Sequence, residues 1–158
     1  MPSSFSVVGF FCDDIREEKS GQDTVVGILA DNFKVPSAPG MMGKLGIYVR
    51  MHFDVTSEAK KLQLRIKIPG ATDLVLGPPD EQLIENSIQE AKIRNFPFAG
   101  VILRAVISPF HIREFGTIVA IIKVDDTDYP CAVLNVIPNQ TNASQPPSSQ
   151  SQPAASQS

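Results

Sequence analysis

The sequence predicts an all-β fold, a sandwich of about seven or eight short antiparallel strands within a domain at residues 1–138, followed by a disordered tail at 139–158. Three observations predict it. Short runs rich in Val, Ile, Leu and Phe are separated by Gly, Pro, Asp and Asn. Two of those runs alternate large aliphatic and polar residues almost strictly, the period of a half-buried strand. From Asn139 onward only Asn, Gln, Thr, Ala, Ser and Pro occur, a composition without charge or large apolar groups that cannot repay the entropy of ordering.

At 158 residues and 42% apolar content, the chain has the size to bury one core, not two. The net charge of −3 is the wrong sign for general nucleic-acid binding, and no apolar run approaches the roughly 18 residues of a membrane helix. Neither nucleic acid nor membrane is therefore the expected partner. Two cysteines, Cys12 and Cys131, are too few and too far apart for a disulfide scaffold or a zinc frame, and they suit a reducing cytoplasm as buried, inert thiols. A bridge between them would need the first and last apolar segments to be antiparallel neighbours, with α-carbons within about 7 Å. No cofactor is expected: Gly40, Gly43 and Gly46 lack the Lys-Ser/Thr that completes a phosphate loop.

In chain order, Phe5 to Cys12 reads as the first strand and Thr24 to Phe33 as its neighbour in the same sheet, beyond a polar loop at 13–23. After the Pro- and Gly-rich connector at 35–43, Leu45, Ile47, Val49, Met51 and Phe53 share one face, and Leu62, Leu64, Ile66 and Ile68 share one face of what reads as the returning strand of a hairpin. Leu74 to Leu76 is a short strand that Pro78-Pro79 should end. Between 80 and 94, Ile84, Ile88 and Ala91 sit at helical spacing behind two prolines, which favours a short helix, although loop and irregular strand remain open and the structure of residues 77–98 is not fixed by the pattern. Strand character resumes at 101–107, 117–124 and 130–137, where near-continuous apolar runs suit strands buried on both faces or bordering a partner. The acidic stretch Asp125-Asp126-Thr127-Asp128 joins the last two as a hairpin.

Cys12-Asp13-Asp14-Ile15-Arg16 after an apolar strand, then Gly21 and Val25-Val26-Gly27-Ile28, and later Phe110, Phe115-Gly116, Asp125-Asp126 and the closing strand at Val136 resemble a family of small bacterial proteins of unknown function that look like immunoglobulin-type β-sandwiches. The likeness spans most of residues 5–138 and departs at 77–98 and in the tail. It implies an immunoglobulin-like fold and a bacterial cytoplasmic setting, and it implies no activity, since a fold alone confers none.

The functional expectation is a noncatalytic protein-interaction or adaptor module, working alone or in a larger assembly. Opposite the inward aliphatics, alternation puts Lys44, Tyr48, Arg50 and His52 beside Lys61, Gln63, Arg65 and Lys67 on one exposed face. Six cations against Asp54 and Glu58 leave residues 44–67 with four excess positive charges in a chain of net −3, which would steer an acidic protein partner. A solvated sheet face would look the same, because lysines also deter edge pairing. Self-association through an edge strand is a further expectation, with Val119 to Val124 the first place to look.

Two alternatives stand beside this reading. Asp13 and Asp14, with Asp125, Asp126 and Asp128, could bind a divalent cation if their loops met at one end, although turns favour Asp for backbone reasons alone. A small-molecule enzyme would draw on His52 and His111 as acid-base groups and on Cys12 or Cys131 as nucleophile, yet none lies in a catalytic motif and His111 fits a surface turn. Asn139 and Asn142 match glycosylation acceptors, which the composition of the tail explains as simply.

Overall fold

The computed structural model describes residues 5–139. The elements are β1 (Phe5–Glu17), β2 (Asp23–Ile28), β3 (Asn32–Val35), β4 (Gly40–Met42), β5 (Leu45–Asp54), β6 (Leu62–Lys67), β7 (Leu74–Asp80), α1 (Leu83–Ile93), β8 (Phe98–Ile107), β9 (Phe110–Ile112), β10 (Gly116–Val124) and β11 (Thr127–Pro138). They form a four-stranded sheet in the order β2-β1-β5-β8, a five-stranded sheet in the order β3-β11-β10-β6-β7, and a two-stranded ribbon of β4 and β9. The chain is thus mostly β with one short helix, and all pairings are antiparallel except that of β3 with β11.

Alternation dictates the core. Leu45, Ile47, Val49, Met51 and Phe53 of β5 are all 0% exposed, and Leu62, Leu64 and Ile66 of β6 are almost as buried. With Ile118, Ala120, Ile122, Val124, Ala132, Leu134 and Val136 of the five-stranded sheet they form one apolar cluster between the two sheets. Burial of that aliphatic area is the main term holding the sheets together, at about 25 cal/mol per Å² removed from water.

The pairing of these strands differs from the hairpin that their pattern suggested. β5 lies between β1 and β8 in one sheet, and β6 lies between β10 and β7 in the other. The link at 55–61 carries the chain across the core instead of turning it back alongside itself. The two outcomes share one pattern, because a strand paired beside β5 and a strand facing it across the roughly 10 Å between sheets both turn their aliphatics inward.

The stretch 24–33 also divides: β2 pairs with β1 as expected, while Phe33 belongs to β3, which runs parallel to β11. Val119 to Val124 is not an edge, since β10 is hydrogen-bonded to β11 on one side and to β6 on the other. Its outer-face Val119 and Ile121 are half-buried. Pro78 and Pro79 do not end β7 but lie within it, tolerated because β7 is the outermost strand and its pairing with β6 is irregular there, between Leu64 opposite Leu76 and Leu62 opposite Asp80.

The continuous apolar run of β11 has a specific cause. The register shifts between Ala120 and Ile121, so that Ala120 faces Ala132 while Ile121 faces Pro130, leaving Cys131 as the extra residue of a bulge. The extra residue resets alternation, which is why Tyr129 packs against the core on one side of it and Ala132 on the other. Helix α1 buries Ile84, Ile88 and Ala91, the spacing read from the sequence, and packs on β8 and β5. Its N-terminus is tied down by Asp80, whose carboxylate accepts from the N–H groups of Gln82 and Leu83 at 2.9 and 2.8 Å. The tail expected from Asn139 onward, with its glycosylation acceptor at Asn142, lies outside the described residues beyond Asn139 itself.

Candidate functional site

The proposed basic face is split by the topology. Lys44, Tyr48, Arg50 and His52 belong to the outer side of the four-stranded sheet, whereas Gln63, Arg65 and Lys67 lie on the outer side of the five-stranded one, with Lys61 just before β6. The two sets face away from each other across the core, so no single partner surface can use both.

Several of these cations are also already engaged. Arg65 lies opposite Ile121 and reaches the carboxylates of Asp128 and of Asp73, the latter at 3.9 Å. Lys61 pairs with Glu81 at 3.1 Å, a contact that raises the lysine pKa. Lys44 sits 3.2 Å from Asp14 and holds that carboxyl below the usual carboxylate range. Such exposed pairs contribute little to stability, yet they remove the local excess of charge on which the electrostatic reading depended. Lys67 remains exposed at the far end of β6.

What survives on the four-stranded sheet is a different surface. Register sets its rows: Val8, Arg50 and Ile102 lie side by side across β1, β5 and β8, then Phe10, Tyr48 and Arg104, then Cys12, Gly46 and Val106. Phe10 stacks on Tyr48 with ring centroids 5.4 Å apart and planes 15° from parallel. Val8 is 57% exposed, Ile102 44% and Val106 39%. Among the described residues Arg50 makes no ion pair and is exposed between Val8 and Ile102. His52 is half-buried in the next row, with Ser6 and Gly100 as its neighbours.

One margin of this face is built by the β1–β2 hairpin. Arg104 of β8 reaches Glu17 at 2.7 Å and also bonds Asp23, both at the hairpin's far end. Ile15 comes within 3.5 Å of where a side chain at Gly46 would begin. The hairpin beyond Cys12 therefore leans over β5 and β8, which is why Cys12 is 0% exposed although it shares the outward row of Gly46 and Val106. Both cysteines are free thiols. Burial, with the Asp13 and Asp14 carboxylates adding to it, pushes the Cys12 thiol up, and burial alone pushes Cys131 up to about 11. Neither is primed as a nucleophile, since the reactive form is the thiolate.

The acidic residues do not converge. Phe5 packs edge-on against Tyr129 with centroids 4.8 Å apart, which places the Asp125-Asp126 turn near the start of β1. Asp13 is eight residues further along that strand, about 27 Å away at a strand's rise. Asp125 is used by backbone, accepting from the N–H groups of Lys60 and Lys61. Among the described residues no group of three or more His, Cys, Asp and Glu side chains is arranged to hold a metal ion. His111 lies on β9, opposite Met41, and not in a turn; it is on a different sheet from His52.

Sequence reasoning missed Val8, Phe10, Ile102, Arg104 and Val106. The signal was present in the near-continuous apolar runs of Phe5–Cys12 and Val101–Ile107, which leave apolar groups on both sides of their strands. Among the described residues no helix is long and apolar enough to cross a membrane. One family model matches residues 7–137, and its description is a family of unknown function. No curated protein and no solved structure matches.

Proposed function

We propose that this chain, which belongs to the DUF6941 family of unknown function, is a noncatalytic protein-binding module whose contact surface is the outer face of the four-stranded sheet. The observation that supports the reading is the cluster of Val8, Phe10, Tyr48, Ile102 and Val106, exposed or half-exposed around the unpaired guanidinium of Arg50. Aromatic residues and Arg set among apolar neighbours are the composition of binding hot spots, because they contribute area and directional bonds at little entropic cost. The partner is a protein surface that offers apolar side chains and a carboxylate opposite Arg50. The rest of the earlier expectation goes with it: an immunoglobulin-like sandwich, supported by two sheets over one core, acting in a bacterial cytoplasm, supported by the resemblance and by two free thiols.

Site-specific photo-cross-linking in the organism that encodes the protein tests this. Probes at Val8 and Ile102 should capture the same protein, and probes at Lys67 and Val133 on the opposite sheet should not. Arg50→Glu should abolish capture, and Tyr48→Ala should reduce it. Equal capture from both faces, or indifference to reversal of the Arg50 charge, overturns the reading.

A further inference from the structure

We infer that β8 pairs edge to edge with β8 of a second copy of this chain, joining two four-stranded sheets into one continuous sheet across a two-fold axis. The two main sheets have four outer strands, β2, β8, β3 and β7. Three of them carry features that discourage pairing. β7 contains Gly77, Pro78 and Pro79; β3 has only four residues, Lys34 among them; and β2 has six, with Asp23 at its start and Gly27 at φ +63° inside it.

β8 is longer and has no proline, and its Gly100 lies in the half next to helix α1, without a positive φ. It is ten residues long, with sequence FAGVILRAVI, and its one charge, Arg104, is matched within the chain by Glu17 and Asp23. Helix α1 covers its first half, where Ala99 and Val101 are each 2% exposed. The second half is less covered, although Arg104 within it is held by the β1–β2 hairpin. Ile102 and Val106 are 44% and 39% exposed on the outer face, and the core-facing Leu103, Ala105 and Ile107 are themselves half-exposed. A long, mostly apolar edge whose one charge is paired within the chain, and whose backbone groups are open, is the kind that recruits another strand.

Self-pairing fits this edge better than pairing with a foreign strand. An antiparallel strand laid against its own copy about a two-fold axis is self-complementary by construction. Apolar groups meet apolar groups on both faces, and the only cation present arrives already neutralised. Residues 102–107 offer a ladder of about 20 Å, the length of an ordinary strand. An interface of this extent falls at the small end of specific contacts, so the dimer should dissociate reversibly on dilution. It would also set two of the proposed binding faces side by side, but it stands without them.

Light scattering and sedimentation of the full chain from roughly 1 to 200 µM test the inference. The mass should rise from 17.1 kDa towards twice that value. Ile102→Lys with Val106→Lys, both at exposed positions, should keep the chain monomeric with unchanged circular dichroism. Amide exchange across 98–107 should slow as concentration rises in the parent and stay constant in the double variant. A monomer throughout, a dimer indifferent to the two lysines, or a dimer without added protection of β8 overturns the inference. Loss of the dimer through Val8→Glu, with β8 exchange independent of concentration, would instead mean stacking of faces and overturn it equally. In the cross-linking experiment a dimer would put a second copy of this chain against the Ile102 probe on β8, whereas the Val8 probe on β1 reads the foreign partner, so either idea can fail while the other stands.

Discussion

Asp125 and Lys61 bond to each other twice: the Lys61 N–H donates to the Asp125 carboxylate at 2.9 Å, and the Asp125 N–H donates to the Lys61 carbonyl at 2.9 Å. The same carboxylate accepts from the Lys60 N–H at 3.0 Å. Asp125 sits at φ 51° in the two-residue turn between Val124 and Thr127, a conformation that Asp and Asn tolerate better than other side chains. One residue therefore shapes the β10–β11 turn and fastens to it the link that carries the chain from one sheet to the other.

Substitutions at Asp125 should separate the two roles. Asp125→Gly relieves the backbone but removes both accepted bonds, and Asp125→Ala removes the bonds and adds strain. Asp125→Asn keeps the conformation and one acceptor oxygen. Melting temperatures should fall in the order parent, Asn, Gly, Ala, with Ala costing about 1–3 kcal/mol, or several degrees for a chain of this size. An Ala variant as stable as the parent would show that the turn forms without this anchor.

Gly9 lets β1 lie close to β11. A Cβ there would lie 3.1 Å from the Cys131 carbonyl oxygen, 3.3 Å from its Sγ and 3.3 Å from Val49. Gly9→Ala should therefore lower the urea midpoint, by about 1–2 kcal/mol of overpacking. Gly100 is the internal control, with nothing within 4 Å of an added Cβ and no positive φ. There, Gly→Ala should be neutral or stabilise by a few tenths of a kcal/mol, because it restricts the unfolded chain.

The thiols set a pH dependence at the alkaline end. Burial raises Cys131 from 9.0 to about 11 and raises Cys12 in the same direction. Above pH 9 the unfolded thiols lose protons that the folded ones keep, so unfolding releases protons and stability declines as pH rises from about 9 to 11. Replacing Cys131 by Ala should make denaturation midpoints fall less steeply across that window. At pH 8 Cys12 should not react with a thiol-specific disulfide reagent until denaturant is added, and the half-buried Cys131 should react more slowly than it does in the denatured chain. Rapid labelling of Cys12 in the native chain would contradict its burial.

Much of this protein was legible one strand at a time. Period-two alternation identified Leu45 to Phe53 and Leu62 to Ile66 as inward-facing sets, and three residues at helical spacing marked α1 inside an otherwise unreadable connector. Asp125-Asp126 turns β10 into β11, as turn chemistry indicated. The candidate site was half legible: Tyr48, Arg50 and His52 stayed on an outward face, but Lys61, Arg65 and Lys67 did not join them.

Alternation is a local property, and it states only which side of a strand is dry. Which strand lies beside which is a long-range choice, made by the summed burial of both sheets and open to any partner whose dry side also points inward. The amino-acid sequence by itself determined the strands and the core-facing set. Tertiary structure alone decided that β6 crosses to the opposite sheet, that β8 and not β10 is left at an edge, and that Phe10 and Val8 come to flank Tyr48 and Arg50. Those decisions rest on contacts between residues far apart in the chain, for which no short window of sequence carries a signal.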